Sequence, residues 1–376
     1  SKFRHIVGKP ASKNCYDSVS ITHSVPDNHF CAVNPNFTAV MTECTGGGAF
    51  LVIPLHQTGK LDPHYLKVYG HRGNVLDVRW NPFNDFEFAS CSEDATIKIW
   101  GIPKQLLTKN LTAFRKELVG HACRGLVDWH PTAANILFSS SYDYKVMVWN
   151  VDSKKSVIMS PMKTINCHQD VILSMSFNTD GSLLATACKD RKIRVQDPEA
   201  NHKGHPANKV LFLGNLKKLL STAHPEGTTS RWPDGTRTTS LCLSRGGPRR
   251  LLGRAVSCLG VDTNMLYMVG KGDRNIRYYE ISANKPHLTY PMEYCSNPQK
   301  GVGVVPKTGL DVSSCEIFRF YKLITTKSLI EPGSMIVRRR SESYQEDIYP
   351  PKATAQPSLT AQEWLSGMKR AHPDVI

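Results

Sequence analysis

The chain has 376 residues and carries 47 Lys and Arg against 32 Asp and Glu, which gives a formal net charge of +15. This length suits one large domain. No apolar run reaches the roughly 18 residues of a membrane span, and the sequence that begins at Ser1 shows no signal peptide. The composition therefore excludes an integral membrane protein, and a start without methionine indicates a fragment or a trimmed N-terminus.

Charge and cysteine usage narrow the class of partner and the compartment. No RNA-binding motif accompanies the basic charge, so the sequence predicts an acidic protein partner and no nucleic acid. The eleven cysteines form no CxxC pair, and most fall in apolar runs, as Cys91 and Cys188 do. They predict a reduced, cytoplasmic protein without a metal site.

The first apolar stretch, 30–55, contains two strand-like runs separated by Gly46, Gly47 and Gly48. Three glycines could cradle a phosphate, but neither a helix pattern nor a Lys-Ser/Thr pair follows them. They predict a tight turn between two strands.

Three repeats follow at intervals of 47 to 50 residues. Each begins with a histidine, has an aspartate 22 or 23 residues later, and ends six residues after the aspartate. The three sets are His71, Asp94 and Trp100; His121, Asp143 and Trp149; and His168, Asp190 and Gln196. Clean alternation of apolar and polar residues, as in 96–100, predicts strands. The period and its fixed residues are typical of WD repeats, each of which forms one propeller blade.

The same residues resemble catalytic groups in type. A Ser-His-Asp triad occurs once in an enzyme, whereas this set recurs with the period of the fold, and a Ser or Thr stands four residues before each Asp. The sequence therefore predicts buried hydrogen-bond networks that stabilise the blades, and no catalytic, cofactor-binding or metal-binding residues. The predicted network consists of His71, Ser90, Asp94, Trp100, His121, Ser139, Asp143, Trp149, His168, Thr186, Asp190 and Asp273.

Weaker repeats continue toward the C-terminus. One opens at Gly204-His205, another spans 261–281 and includes the run 270–273, and a last one covers 287–325. Counted with 30–55, they predict an all-β, seven-bladed propeller over residues 1–330. Residues 226–260 lack the β pattern, so we expect an irregular segment that leaves the fifth blade short of one or two strands.

Residues 331–376 predict a C-terminal extension packed against the propeller. Pro350-Pro351 is typical of a linker, and Thr360 with Glu363 three residues later is a capping-box pattern. We expect a short helix near 360–367 that docks through Trp364 and Leu365.

Several segments, taken in this order, resemble the coronin family of actin-associated WD-repeat proteins, and most specifically its type-2 branch. They are 1–5, 30–35, 46–52, 270–273, 276–281, 309–312, 315–317, 319–323 and 345–350, with 27–30, 54–60 and 103–107 favouring the type-2 branch. The resemblance covers nearly the whole chain. It implies a seven-bladed propeller whose last blade is completed by the N-terminal segment, with the C-terminal arm packed beneath.

Three departures from the family pattern limit what the resemblance implies. Ser20 stands where filament-binding members carry a basic residue, so it marks the expected actin-facing position without its charge. The family's C-terminal coiled coil does not occur before Ile376, so we expect no coiled-coil oligomerisation of this chain. One residue is missing between Arg124 and Gly125, which would reverse the faces of the following strand unless the loop absorbs the loss.

The fourth departure is the segment 226–260, which holds six arginines against two acids. Its run 232–240 matches a family strand read one frame over in plausible codons. We therefore interpret the chain as a truncated and partly frameshifted copy. An evolved basic loop that binds acidic ligands is the alternative.

The resemblance implies a non-enzymatic protein of the actin cytoskeleton that binds filaments or their regulators through propeller surfaces and uses no cofactor. Its expected partners are actin filaments, contacted directly or indirectly, and other cytoskeletal or adaptor proteins. The expected location is cytoplasmic and cytoskeleton-associated, with a nuclear pool as an alternative. A general WD-repeat scaffold, nuclear and touching actin only indirectly, is the second reading of function, and a decayed, non-functional copy is the third.

Overall fold

The structure of the protein is a computed structural model. It describes the whole chain except residues 1–2, 4, 24–28, 105–106, 123–124, 191, 197–208, 215–217, 222–228, 232–236, 241–254, 273, 282–287, 296, 340–344, 351, 371–373 and 376.

Strands make up almost all of the described secondary structure. In chain order, the first nineteen are β1 (Ile6–Pro10), β2 (Tyr16–Asp17), β3 (Cys31–Val33), β4 (Phe37–Met41), β5 (Ala49–Pro54), β6 (Gly59–Lys60), β7 (Lys67–Tyr69), β8 (Val75–Asn81), β9 (Asn84–Ser92), β10 (Thr96–Gly101), β11 (Lys116–Val119), β12 (Gly125–Trp129), β13 (Ile136–Ser141), β14 (Val146–Asn150), β15 (Val157–Ile158), β16 (Lys163–Ile165), β17 (Ile172–Phe177), β18 (Leu184–Cys188) and β19 (Ile193–Gln196).

The remaining elements include a single described α-helix. They are β20 (Val210–Phe212), β21 (Lys218–Ser221), β22 (Thr229–Arg231), β23 (Arg237–Ser240), β24 (Ala255–Gly260), β25 (Met265–Gly270), β26 (Asn275–Ile281), β27 (Leu288–Cys295), β28 (Gly301–Val304), β29 (Glu316–Ile324), β30 (Leu329–Val337), β31 (Lys352–Ala353), α1 (Ala361–Leu365) and β32 (Asp374–Val375), with 3-10 turns at Ser12–Asn14, Lys307–Gly309, Val312–Ser314 and Thr325–Lys327.

The strands form successive small sheets, as expected of an all-β WD-repeat propeller. The first sheet is β3-β4-β5-β7, the second is β8-β9-β10-β11 with β15 on its edge, and the third is β12-β13-β14-β16. The fourth is β17-β18-β19, the fifth is β20-β21-β23-β22, and the sixth is β24-β25-β26-β27. The closing sheet contains β28, β29 and β30, and β1 pairs with β30. Strands from the N-terminal and C-terminal regions of the chain therefore lie in one sheet.

The blade count differs from the sequence prediction of seven. Six sheets have four or more strands, as a full propeller blade does, and the sheet of β17, β18 and β19 has three. The described residues therefore form six full blades rather than seven.

The segment 226–260 contributes strands where we expected a gap. The fifth sheet has four strands, so the prediction that this blade lacks one or two strands is wrong. Its strand order is unusual, because β22 and β23 form a hairpin that places β23 parallel to β21. The remaining residues of the segment, including most of its arginines, lie outside the described residues, and the irregular character of that part stays a prediction.

The innermost strands of the second and fourth sheets, β8 and β17, each contain one bulged residue that β12, the innermost strand of the third sheet, lacks. The pairing of β8 with β9 shifts at Leu76, which forms a β-bulge, and β17 has the same irregularity at Leu173. By contrast, β12 pairs with β13 without a shift from Gly125 to Trp129. Trp80 and Trp129 each donate the indole N–H to a backbone oxygen of the preceding sheet at 3.0 Å. The residue that is missing before Gly125 therefore corresponds to the bulged residue of the neighbouring repeats. The other side chains of β12 still point to the same sides of the sheet as their counterparts in β8 and β17.

The end of the chain packs on the third and fourth sheets. β30 crosses the expected boundary at residues 330 and 331 and continues to Val337. Farther on, Thr360 accepts from Glu363 N and Glu363 accepts from Thr360 N, so α1 begins with a capping box. Trp364 of α1 is buried and lies 5.2 Å from the ring of His130 and 5.9 Å from the ring of Phe138, measured between centroids. Leu365 is exposed, so docking involves Trp364 and not Leu365.

Candidate functional site

In the first repeat, four side chains of one blade are joined by a continuous chain of hydrogen bonds. Trp100 Nε1 donates to Ser90 Oγ at 2.8 Å, and Ser90 Oγ lies 2.7 Å from His71 Nε2. His71 Nδ1 in turn lies 3.0 Å from Asp94 Oδ2. Because the indole can only donate, Ser90 Oγ accepts from Trp100, and because a carboxylate can only accept, the imidazole donates from Nδ1 to Asp94. Both ring nitrogens of His71 therefore have a polar partner inside the blade.

Asp94 also fixes the backbone on both sides of this chain. It accepts from Arg72 N at 2.8 Å, from Thr96 N at 2.9 Å and from Thr96 Oγ1 at 2.8 Å. Burial alone would raise the pKa of Asp94, but the hydrogen bonds from His71, Arg72 and Thr96 outweigh burial and hold that pKa below its usual value. Gly48 packs against the same loop with φ +77°, and a Cβ there would lie 2.0 Å from His71 O. The three glycines 46–48, all with positive φ, thus form the expected turn beside the network.

The second repeat has the same arrangement. Trp149 Nε1 donates to Ser139 Oγ at 2.8 Å, and His121 contacts Ser139 Oγ at 2.7 Å and Asp143 Oδ2 at 2.9 Å. Burial alone would raise the pKa of Asp143, but the hydrogen bond from His121 opposes burial, and the pKa of Asp143 lies below its usual value. The structure therefore joins all four predicted residues in each of the first two repeats.

The third repeat is different. His168 Nε2 contacts Thr186 Oγ1 at 2.8 Å, but no hydrogen bond joins His168 to Asp190 among these described residues. Asp190 instead pairs with Arg194, whose Nη2 donates to Asp190 Oδ2 at 2.7 Å. The physical reason lies in two side chains: Gln196 offers no indole to the hydroxyl, and Arg194 is a stronger partner for the carboxylate than a neutral imidazole. His168 and Asp190 therefore each have a partner within their own blade but do not bond to one another.

Burial has a direct effect on His168. The buried environment, and then the positive charge of Arg194, lower the pKa of His168 to about 4. Asp190 acts in the opposite direction but is outweighed. His168 is therefore neutral at physiological pH.

The histidine networks do not converge on one cavity. A central cavity of about 430 Å³ is lined by residues of the innermost strands, among them Asp77, Arg79 and Asp128. Arg79 Nε lies 3.5 Å from Asp77 Oδ2. Burial raises the pKa of Asp128 to about 6, with Arg79 opposing and Asp77 adding to that effect. Sequence reasoning missed this charged group. Its signal is the alternation of Asp77 and Arg79 on one face of an otherwise apolar strand.

The remaining predicted positions are Asp273 and Ser20. Asp273 lies outside the described residues. Ser20 is exposed, in a segment anchored on both sides: Val19 N donates to Ser328 O at 2.8 Å, and Thr22 N donates to Met41 O at 3.0 Å. The segment therefore bridges the closing and first sheets and presents Ser20 to solvent.

Metal and membrane features add no further site. Within the described part of the chain, no three His, Cys, Asp or Glu side chains gather in an arrangement that could hold a metal ion. No described helix is long and apolar enough to cross a membrane.

Three family profiles match the chain. The WD domain, G-beta repeat, matches residues 64–101, 113–150 and 159–197. A type of WD40 repeat matches residues 330–372, and a domain of unknown function, DUF1899, matches residues 1–60.

Relatives match along nearly the full chain. Over 386 residues the chain is 78% identical to Coronin-2A of Bos taurus, covering 98% of this chain and 73% of that protein. It is 74% identical to Coronin-2A of Homo sapiens over 386 residues, with the same coverage of 98% and 73%. Coronin-2B of Homo sapiens is 55% identical over 387 residues, covering 98% of this chain and 78% of that protein. Among solved structures, the WD40 domain from Toxoplasma gondii coronin aligns with a TM-score of 0.81 and 25% identity, covering 99% of this chain and 97% of that one.

Proposed function

We propose a function from the premise that the chain belongs to the coronin family of WD-repeat proteins, within its type-2 branch, as its sequence motifs predicted. The protein is a non-enzymatic interaction module of the actin cytoskeleton, and it binds actin filaments or their regulators through exposed propeller surfaces. The observation that carries this proposal is the engagement of His71 with Asp94 and of His121 with Asp143. These pairs are closed by serine and tryptophan partners inside their own blades.

The surface charge supports an acidic partner. The chain carries a net charge of +15, and near the closing sheet Lys271 and Lys300 both approach the ring of Phe30, with Nζ 4.8 Å and 5.7 Å from its centroid. Burial lowers the pKa of Lys300, while Glu43 acts in the opposite direction. An acidic surface placed here would favour the charged form of Lys300, as Glu43 does. Filamentous actin, which is acidic, suits such a surface.

Co-sedimentation with actin filaments tests the proposal. Exposed charges are screened beyond roughly 8 Å at physiological salt, so we expect weak pelleting at low salt that falls as salt is added. Absence of pelleting at every salt concentration would contradict direct filament binding.

Ser20 favours one alternative. Because this exposed position carries no charge, the protein could serve as a WD-repeat scaffold or adaptor that reaches actin only through other proteins, in the cytoplasm or the nucleus. Recovery of a stable complex that lacks direct filament contact would support this function instead.

The third reading, a decayed copy, rests on the segment 226–260. Its parallel pairing of β21 with β23 departs from the other four-stranded sheets, whose strands all pair antiparallel, which agrees with a strand sequence that has been replaced. The reading frame of the gene across codons 225 to 261 decides between a frameshift and an evolved basic loop.

A further inference from the structure

Three large apolar side chains are exposed on one short segment at the edge of the molecule. Val157 is 41% exposed, Met159 is 72% exposed and Met162 is 55% exposed. Val157 lies in β15, at the edge of the second sheet, and Met159 and Met162 lie on the connection from β15 to β16 of the third sheet. Single exposed apolar residues are common on proteins, but a group within six residues is a mark of an interaction surface. We call residues 157–162 the methionine rim.

The backbone of the methionine rim is fixed, so its exposure does not come from a loose loop. β15 pairs in parallel with β11, and Ile158 is buried between its exposed neighbours. Glu117 N donates to Ser156 O at 2.8 Å, and Met162 N donates to Val148 O at 2.8 Å. Both ends are therefore tied to neighbouring strands.

Positive charge lies beside the methionine rim. Lys154 and Lys155 are both exposed, and Asp152 is the exposed acid near them. Lys116 Nζ donates to Lys155 O at 3.0 Å and also to Ser153 O, so it holds the turn that carries the two lysines. The surface thus combines an adaptable apolar centre with a positioned basic flank.

These features point to an acidic partner and away from a second copy of this chain. Two copies meeting at this surface would bring their lysines together, and like charges at an interface are unfavourable. We propose that the methionine rim, with Lys154 and Lys155, is a contact surface for the actin filament and supplies the part of binding that resists salt. The proposal rests on the proposed function and adds to it the residues that make the contact.

Co-sedimentation of variants separates the apolar and charged parts of the contact. Met159→Ser/Met162→Ser should weaken filament binding about tenfold at low and at high salt, because apolar burial does not depend on screening. Lys154→Ser/Lys155→Ser should weaken binding at low salt and have little effect at high salt. The matched control is Leu365→Ser/Met368→Ser, which removes exposed apolar side chains from the C-terminal extension and should leave binding unchanged.

Methionine oxidation provides a direct readout of the contact. Peroxide should oxidise Met159 and Met162 quickly in the free protein and several-fold more slowly on filaments, whereas exposed Met368 should keep the same rate in both states. Equal rates for Met159 with and without filaments would overturn the proposal.

The outcomes distinguish this inference from the function on which it rests. If the unmodified protein does not pellet at any salt concentration, filament binding and the contact surface both fail. If it pellets and the methionine variant pellets equally well, the protein binds filaments through another surface and the inference alone is refuted. Concentration-dependent self-association that the methionine variant abolishes would assign the rim to a second copy and would also refute it.

Discussion

The hydrogen-bond networks predict different coupling between histidine and aspartate in different repeats. In the first repeat His71 Nδ1 lies 3.0 Å from Asp94 Oδ2, whereas in the third repeat Asp190 is engaged by Arg194. Double-mutant cycles with alanine at His71 and Asp94, and at His168 and Asp190, compare the two directly.

The expected magnitudes follow from the partners of each side chain. Asp94→Ala leaves His71 Nδ1 and the N–H groups of Arg72 and Thr96 without their acceptor. An unsatisfied buried donor costs about 1–3 kcal/mol. The His71 side chain is fully buried, while the Asp94 side chain is 10% exposed, so water compensates some of the loss. We therefore expect Asp94→Ala to lower the free energy of unfolding by about 2–4 kcal/mol.

The coupling energies should differ between the repeats. For His71 and Asp94 we expect about 1–2 kcal/mol, and for His168 and Asp190 less than about 0.5 kcal/mol. Urea unfolding followed by tryptophan fluorescence gives the four free energies of each cycle, provided that the m-values stay constant. Equal coupling in both repeats, or none between His71 and Asp94, would refute the assignment of these networks.

Four further predictions concern other parts of the molecule. Because the pKa of His168 falls from 6.5 to about 4 on folding, the unfolded chain binds more protons than the folded chain between these pH values. The contribution of His168 to the free energy of unfolding is therefore fully present above pH 6.5, and about 3 kcal/mol of it is lost as the pH drops to 4. Urea unfolding at several pH values should show a smaller fall for His168→Gln, and identical profiles would contradict the pKa shift. Trp364→Ala should destabilise the docked C-terminal extension by about 3 kcal/mol and speed its proteolytic release, whereas Leu365→Ala, at an exposed position, should not. Gly125→Ala should lower the melting temperature by several degrees, since a Cβ at Gly125 would lie 1.6 Å from Ser140 O; insertion of a leucine after Arg124 should restore the bulge seen at Leu76 and be tolerated. Ser20→Arg should tighten filament binding by about 1 kcal/mol, or roughly fivefold, whereas Gln362→Arg on α1 adds the same charge elsewhere and should have no effect.

The repeating part of the fold could be predicted from the sequence because its signal recurs. A histidine, an aspartate and a tryptophan at fixed separations define where β8, β9 and β10 begin and end, and their hydrogen bonds in the first two repeats have the predicted partners. The short helix was also predictable, because Thr360 and Glu363 form a local capping box.

What could not be predicted depends on competition between partners in space. Arg194 takes the carboxylate of Asp190 because a guanidinium binds it more strongly than a neutral imidazole does. The missing residue before Gly125 is harmless because the neighbouring repeats place their extra residue in a bulge, which spacing alone does not reveal. The parallel pairing of β21 with β23 arises where the family-like pattern is lost.

Electron cryomicroscopy of actin filaments incubated with the protein at low salt tests the central claim most directly. The account predicts density for a single propeller on the filament, with the edge formed by the second and third sheets facing actin and residues 157–162 at the contact. Bare filaments at saturating protein, or a propeller that contacts actin with those residues facing solvent, would contradict it.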